Sequence, residues 1–88
     1  MVVFVTYDLN KQGKNYADLF TTLEGMCTSY IRPLKSVWML DTQKSVDEVS
    51  VAALKVMDPD DRLYVTRLVN DKAGWLTQAQ WDWLNSRL

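Results

Sequence analysis

Apolar and polar positions along this chain alternate between two rhythms, one of strands and one of helices. Val2-Val3-Phe4-Val5-Thr6-Tyr7 is a β-branched and aromatic run that stops at a carboxylate, Asp8. Such a run suits a strand covered on both faces, with Asp8 at its C-terminal edge. Asn10, Gly13 and Asn15 then predict a short exposed loop, which Lys11 and Lys14 make basic. From there Tyr16, Leu19, Phe20, Leu23 and Met26 share one helical face, with Asn15 as the N-cap and Asp18 in the first turn. Residues 28 to 32 are β-prone, and Pro33 confines them to an edge strand. Ser36 to Asp41 is a second apolar run, predicted to lie beside the first.

Ser45-Val46-Asp47-Glu48 reads as a capping box that opens a helix reaching about Met57, with Val49, Ala52, Ala53 and Val56 on one face and Asp58-Pro59 as its stop. Leu63 to Val69 reads as a strand entered through Asp60-Asp61-Arg62. Asn70 to Gly74 makes a polar turn. Thr77-Gln78-Ala79-Gln80 is a second capping box, so the tail should be a short helix carrying Trp81, Leu84 and Leu88, with Leu76 stapled to Trp81.

Strand, helix, strand, strand, helix, strand is the split βαβ order of the ferredoxin-like fold, here with a C-terminal helix added. The expectation is therefore α+β: a single domain over residues 1 to 88, with a four-stranded antiparallel sheet ordered 4-1-3-2 and both main helices on one face. The alternation along strands one and four leaves neither face polar enough to stay wet. A partner sheet or the tryptophan-bearing tail must cover the second face.

Composition narrows the chemistry. A hydrophobic fraction of 48% and four tryptophans in 88 residues favour self-association, and a homodimer is expected. Net charge −1 lacks the broad positive field of a strong nucleic-acid binder, so any nucleic acid must meet a local patch. With one cysteine and no histidine, Cys/His zinc sites and histidine-based triads are excluded, and any metal must take oxygen ligands. Cys27 reads as a small buried residue, since no base is at hand to activate it. Trp75, Trp81 and Trp83 are expected to pack rather than to stack bases, and Tyr7, Tyr16 and Tyr64 are expected in the core or an interface. No run reaches membrane-spanning length and no leader is visible, so a cytoplasmic protein is expected.

The predicted topology gathers Asp8, the turn at Arg32, Lys35 and Ser36, and the acids Asp58, Asp60 and Asp61 at one end of the sheet. Two readings stay open. Asp8 with Asp60 or Asp61 can hold a divalent cation such as magnesium or manganese, with Lys11, Lys14, Arg32 and Lys35 holding the phosphates of a nucleic acid. Alternatively, the acids only stop a helix and start a turn, and Asp8 pairs with a nearby base.

Val5-Thr6-Tyr7-Asp8-Leu9, Ser36-Val37-Trp38 and Asp61-Arg62-Leu63-Tyr64-Val65 resemble the pattern of the Cas-two family of small CRISPR-associated proteins, and in layout the SinR-family proteins of the same superfamily. The virulence-associated protein D ribonuclease toxins are more distant relatives. The resemblance spans about residues 2 to 69 and implies a ferredoxin-like homodimer in which two copies of Asp8 approach each other, sometimes around a divalent metal. By the same likeness Asp8 is the candidate metal ligand or catalytic acid, and Ser36, the matched polar residue at the start of strand three, is the other catalytic candidate. Members of that family are metal-dependent nucleases or catalytically silent partners in CRISPR adaptation. The resemblance thus implies either a nuclease acting on RNA or DNA, or a non-catalytic homodimeric adaptor that binds a protein in a phage, mobile element or CRISPR-related system. The arginine-rich stretch common after the aspartate in that family is here Asn10 to Asn15, and the tail reads as a helix rather than an extra swapped strand.

Overall fold

A computed structural model of the chain describes residues 1–10 and 16–88. Its elements are β1 (Val2–Asp8), α1 (Ala17–Gly25), β2 (Ser29–Leu34), β3 (Val37–Asp41), α2 (Val46–Leu54), β4 (Arg62–Arg67) and α3 (Gln78–Asn85). The strands form one antiparallel sheet in the order β2-β3-β1-β4. This is the α+β, ferredoxin-like order read from the sequence, with the added C-terminal helix. Among the described residues no helix is long and apolar enough to cross a membrane.

Alternation along β1 divides the molecule. Val3, Val5 and Tyr7 face α1 and α2 and meet Leu19, Leu23, Trp38, Leu40, Val49 and Ala53 in the main core. Register pairs Val3 with Leu40 and Val5 with both Trp38 and Val65, so one row of side chains per strand points into that layer. Val2, Phe4, Thr6 and Asp8 take the other face, beside Met39 and Asp41 of β3 and Arg62, Tyr64 and Thr66 of β4.

The C-terminal helix covers part of that second face. Trp83 donates its indole N–H to Ser29 Oγ at 2.8 Å, and Arg87 Nε donates to Asp41 Oδ2 at 2.9 Å. Leu84 and Val2 are buried outside the main core cluster. The tail therefore covers the end of the sheet where β1 begins, and the end that carries Asp8 stays open.

Both capping boxes form. Ser45 Oγ accepts from Glu48 N while Glu48 Oε1 accepts from Ser45 N, and Thr77 and Gln80 repeat the exchange. The helix expected to reach Met57 ends earlier, at Leu54, and residues 55 to 57 close as turns through Val56 N to Ala53 O and Met57 N to Leu54 O. Strand four runs from Arg62 to Arg67 rather than to Val69, although Leu68 N still donates to Val2 O at 2.9 Å. Asn15, expected to cap α1, lies outside the described residues, and Tyr16 holds the N-cap position without a side-chain cap. On the edge strand β2 the register shifts between Ile31 and Leu34, where Pro33 has no N–H to give.

Candidate functional site

The turn between α2 and β4 is built around Asp61, one of two buried polar residues among those described. Its Oδ2 accepts from Asp58 N at 2.9 Å, closing the Asp58-Pro59-Asp60-Asp61 turn on itself. Its Oδ1 accepts from Asn10 N at 2.9 Å and from the Tyr16 hydroxyl at 3.1 Å. Asn10 returns a side-chain hydrogen bond to Asp60 O, and Arg62 Nη1 donates to Asp61 O at 3.1 Å. One carboxylate thus ties the exit of β1, the start of α1 and the entry to β4 together.

Carboxylate oxygens of Asp58, Asp60 and Asp61 lie within 4.8 Å of one another, near enough to hold a metal ion. All the donors are oxygens, which suits a hard cation. Asp61, however, already accepts hydrogen bonds from Asn10, Tyr16 and Asp58, so an ion would have to share oxygens that hold the turn closed. Asp8 is not a member of this group. Strand alternation sends it to the opposite face, where it pairs in register with Arg62 and lines a shallow groove with Thr6 and Tyr64.

Asp8 is exposed, and Tyr64 beside it is 62% exposed. Ser36 sits in the tight turn between β2 and β3, at the same end of the sheet. There its carbonyl accepts from Thr6 Oγ1 at 3.0 Å and from Tyr7 N at 3.3 Å, which pins that turn to β1. Lys35 is exposed in the turn. The expected gathering of Asp8, Ser36, Lys35 and the acidic turn at one end is therefore present, but split between the two faces of the sheet. Lys11 and Lys14 lie outside the described residues.

Arg32 occupies a setting that spacing did not reveal. Its guanidinium carbon stands 4.5 Å from the centre of the Trp38 ring and 4.9 Å from that of Phe20. Phe20 and Trp38 stack at 5.9 Å, and Tyr30 packs on Trp38 at 4.8 Å. The Trp38 indole N–H donates to the Tyr7 hydroxyl at 3.0 Å, so this wholly buried tryptophan is satisfied. The extra residue at the β2 irregularity places Arg32 and Pro33 opposite Trp38, which helps to bring the guanidinium over the ring. A signal was present in the alternation of Tyr30 and Arg32 on an edge strand facing Trp38, but only the packing of α1 on the sheet joins it to Phe20.

Cys27 is half-buried, and its thiol contacts Leu23 O and Glu24 O at 3.5 and 3.6 Å. Burial, then the negative charges of Asp41 and Glu24, push its pKa up. A raised pKa means less thiolate near neutral pH, so iodoacetamide at pH 7.5 should alkylate Cys27 at least about threefold more slowly than an unstructured peptide thiol. Mass spectrometry against time reads the rate, and parity with the free thiol would contradict this setting.

Trp83 packs as expected, with Arg87 stacked over its ring at 4.3 Å, and Trp81 is half-buried along the tail groove. Trp75 departs from expectation. It is fully exposed, on the segment that joins β4 to α3. No known family model matches the chain, and neither a curated protein nor a solved structure matches it.

Proposed function

We propose that this chain is a Cas-two-like homodimer that cleaves RNA or DNA with magnesium or manganese held where two copies of Asp8 meet. The supporting observation is the position of Asp8, exposed at the end of the second sheet face that α3 leaves uncovered, next to the exposed Tyr64. At that uncovered end of the face one chain supplies Asp8, Asp41 lying at the covered end with Arg87, and a twofold mate supplies the second carboxylate that a divalent ion needs. When bound, such an ion would supply Lewis acidity and an activated water. Asp8 would hold it, Tyr64 and Thr6 would form the dimer contact, and Lys35 and Arg62 at the same end would hold the phosphates.

The test measures cleavage of labelled single-stranded RNA and DNA with manganese, magnesium or chelator. Asp8→Asn is expected to lower the rate at least about a hundredfold, as does the loss of a ligand on which metal-assisted hydrolysis depends. Cleavage that survives Asp8→Asn or chelation overturns the reading, and sedimentation at micromolar concentration should find a dimer.

A non-catalytic adaptor is the second reading. It is favoured by the engagement of the Asp61 carboxylate in holding the turn, on the other face of the sheet from Asp8, so that Asp61 does not join Asp8 in a metal site within one chain. A wild-type protein that is dimeric but inert with every metal would decide for it.

A further inference from the structure

Tyr30 and Arg32 lie on the same face of the edge strand β2, with Lys35 in the turn that follows. Arg32 is exposed, yet its guanidinium stands over the Trp38 and Phe20 rings. Among the described residues it has no hydrogen-bond acceptor and no carboxylate partner, so the stacking orders the side chain without using its N–H groups. A planar fork held in this way loses little freedom when it binds a phosphate, and it binds with two parallel hydrogen bonds where lysine offers a point charge. Next to it Tyr30 is 39% exposed, with its ring braced by Trp38 at 4.8 Å. An aromatic face beside a fixed arginine is the pairing that holds single-stranded nucleic acid, with a base on the ring and its phosphate on the cation.

We infer that Tyr30, Arg32 and Lys35 form a binding patch for single-stranded nucleic acid, in which Arg32 grips a backbone phosphate and Tyr30 stacks a base. The patch lies on the helix-bearing side of β2, at the end of the sheet that carries Asp8, because β2 and β1 run in the same direction. It rests on the nuclease reading and deepens it by naming how a strand is held; it shares Lys35 with that reading but not Asp8, Thr6, Tyr64 or Arg62. The net charge of −1 does not oppose it, since a single pre-ordered arginine and its neighbours supply the contact locally.

The test reads binding, in chelator and on an Asp8→Asn background, so that failure of cleavage and failure of binding remain separate results. Fluorescence anisotropy with a labelled single-stranded 12-mer at about 50 mM salt is expected to show saturable binding that weakens as salt rises. Arg32→Lys keeps the charge and loses the fork, and Tyr30→Leu keeps the bulk and loses the ring. Each should weaken binding at least about fivefold, and Lys35→Ala should lower the salt slope by about one. Arg67→Ala, on the opposite edge strand, should leave affinity within about twofold. Thermal melts accompany each variant, since Arg32 and Tyr30 also pack on Trp38. Unchanged affinity in folded Arg32→Lys and Tyr30→Leu overturns the proposal. So does absence of binding by the Asp8→Asn parent, or competition by millimolar inorganic phosphate that is as effective per phosphate as unlabelled 12-mer, which would mark a simple anion site.

Discussion

Asp61→Asn should destabilise the fold by about 3 kcal/mol, although it removes one charge and almost no volume. The buried carboxylate accepts from Asn10 N, the Tyr16 hydroxyl and Asp58 N. An amide places an NH2 group where one of its oxygens faces a donor, so at least one part-buried backbone N–H, of Asn10 or Asp58, loses its acceptor and faces another donor. Each hydrogen bond to a charged group is worth about 1.5–3 kcal/mol, and the three share one group and are not additive. For a chain of this size the loss corresponds to a fall in Tm of roughly 10 °C or more, read by thermal melting in chelator. A shift under about 2 °C would mean that the turn does not depend on the carboxylate. A parallel melt of the wild type with millimolar magnesium or manganese separates the two roles of the acidic turn. An ion held by Asp58, Asp60 and Asp61 in the folded state must raise Tm as its concentration exceeds Kd.

Leu84→Ala carries the second large effect, about 3 kcal/mol, through the loss of buried methyl groups and the cavity left behind. Leu84 is 2% exposed, and α3 is also held to the second sheet face by Trp83 to Ser29 and Arg87 to Asp41. If α3 rather than another copy of the chain covers this end of the sheet, the loss appears at every protein concentration. Sedimentation should also show the variant self-associating more than wild type, because Val2 and its apolar neighbours become accessible. Val51→Ala, on the 55% exposed outer side of α2, is the control and should stay within about 0.5 kcal/mol. An unchanged Tm for Leu84→Ala would place the cover of that face elsewhere.

These two residues show how far local pattern carried. Leu84 was legible as part of the apolar row of a capped helix, and Thr77 and Gln80 close the box that starts it. Which surface the helix would cover was not legible, because a short amphipathic helix with a polar lead of several residues can reach more than one face. Asp61 was legible as part of a helix stop, and the acid-rich turn was placed at the same end as Asp8. That its carboxylate reaches Asn10 and Tyr16, some fifty residues earlier in the chain, depends on β4 pairing beside β1. Trp75 was expected to pack like its neighbours and is instead fully exposed, since three tryptophans within nine residues share a composition but not an element.

The sequence by itself determined the order of elements and the antiparallel sheet, since these follow from periodicity, capping and proline placement within a few residues of each position. Only the tertiary structure decided the rest. Strand alternation with the registers of β1 and β4 sends Asp8 and Asp61 to opposite faces, and the β2 irregularity helps to bring Arg32 over Trp38. A one-residue change of register reverses the face of every side chain on a strand, and no local pattern in the strand that carries a residue fixes which partner it will meet across the sheet.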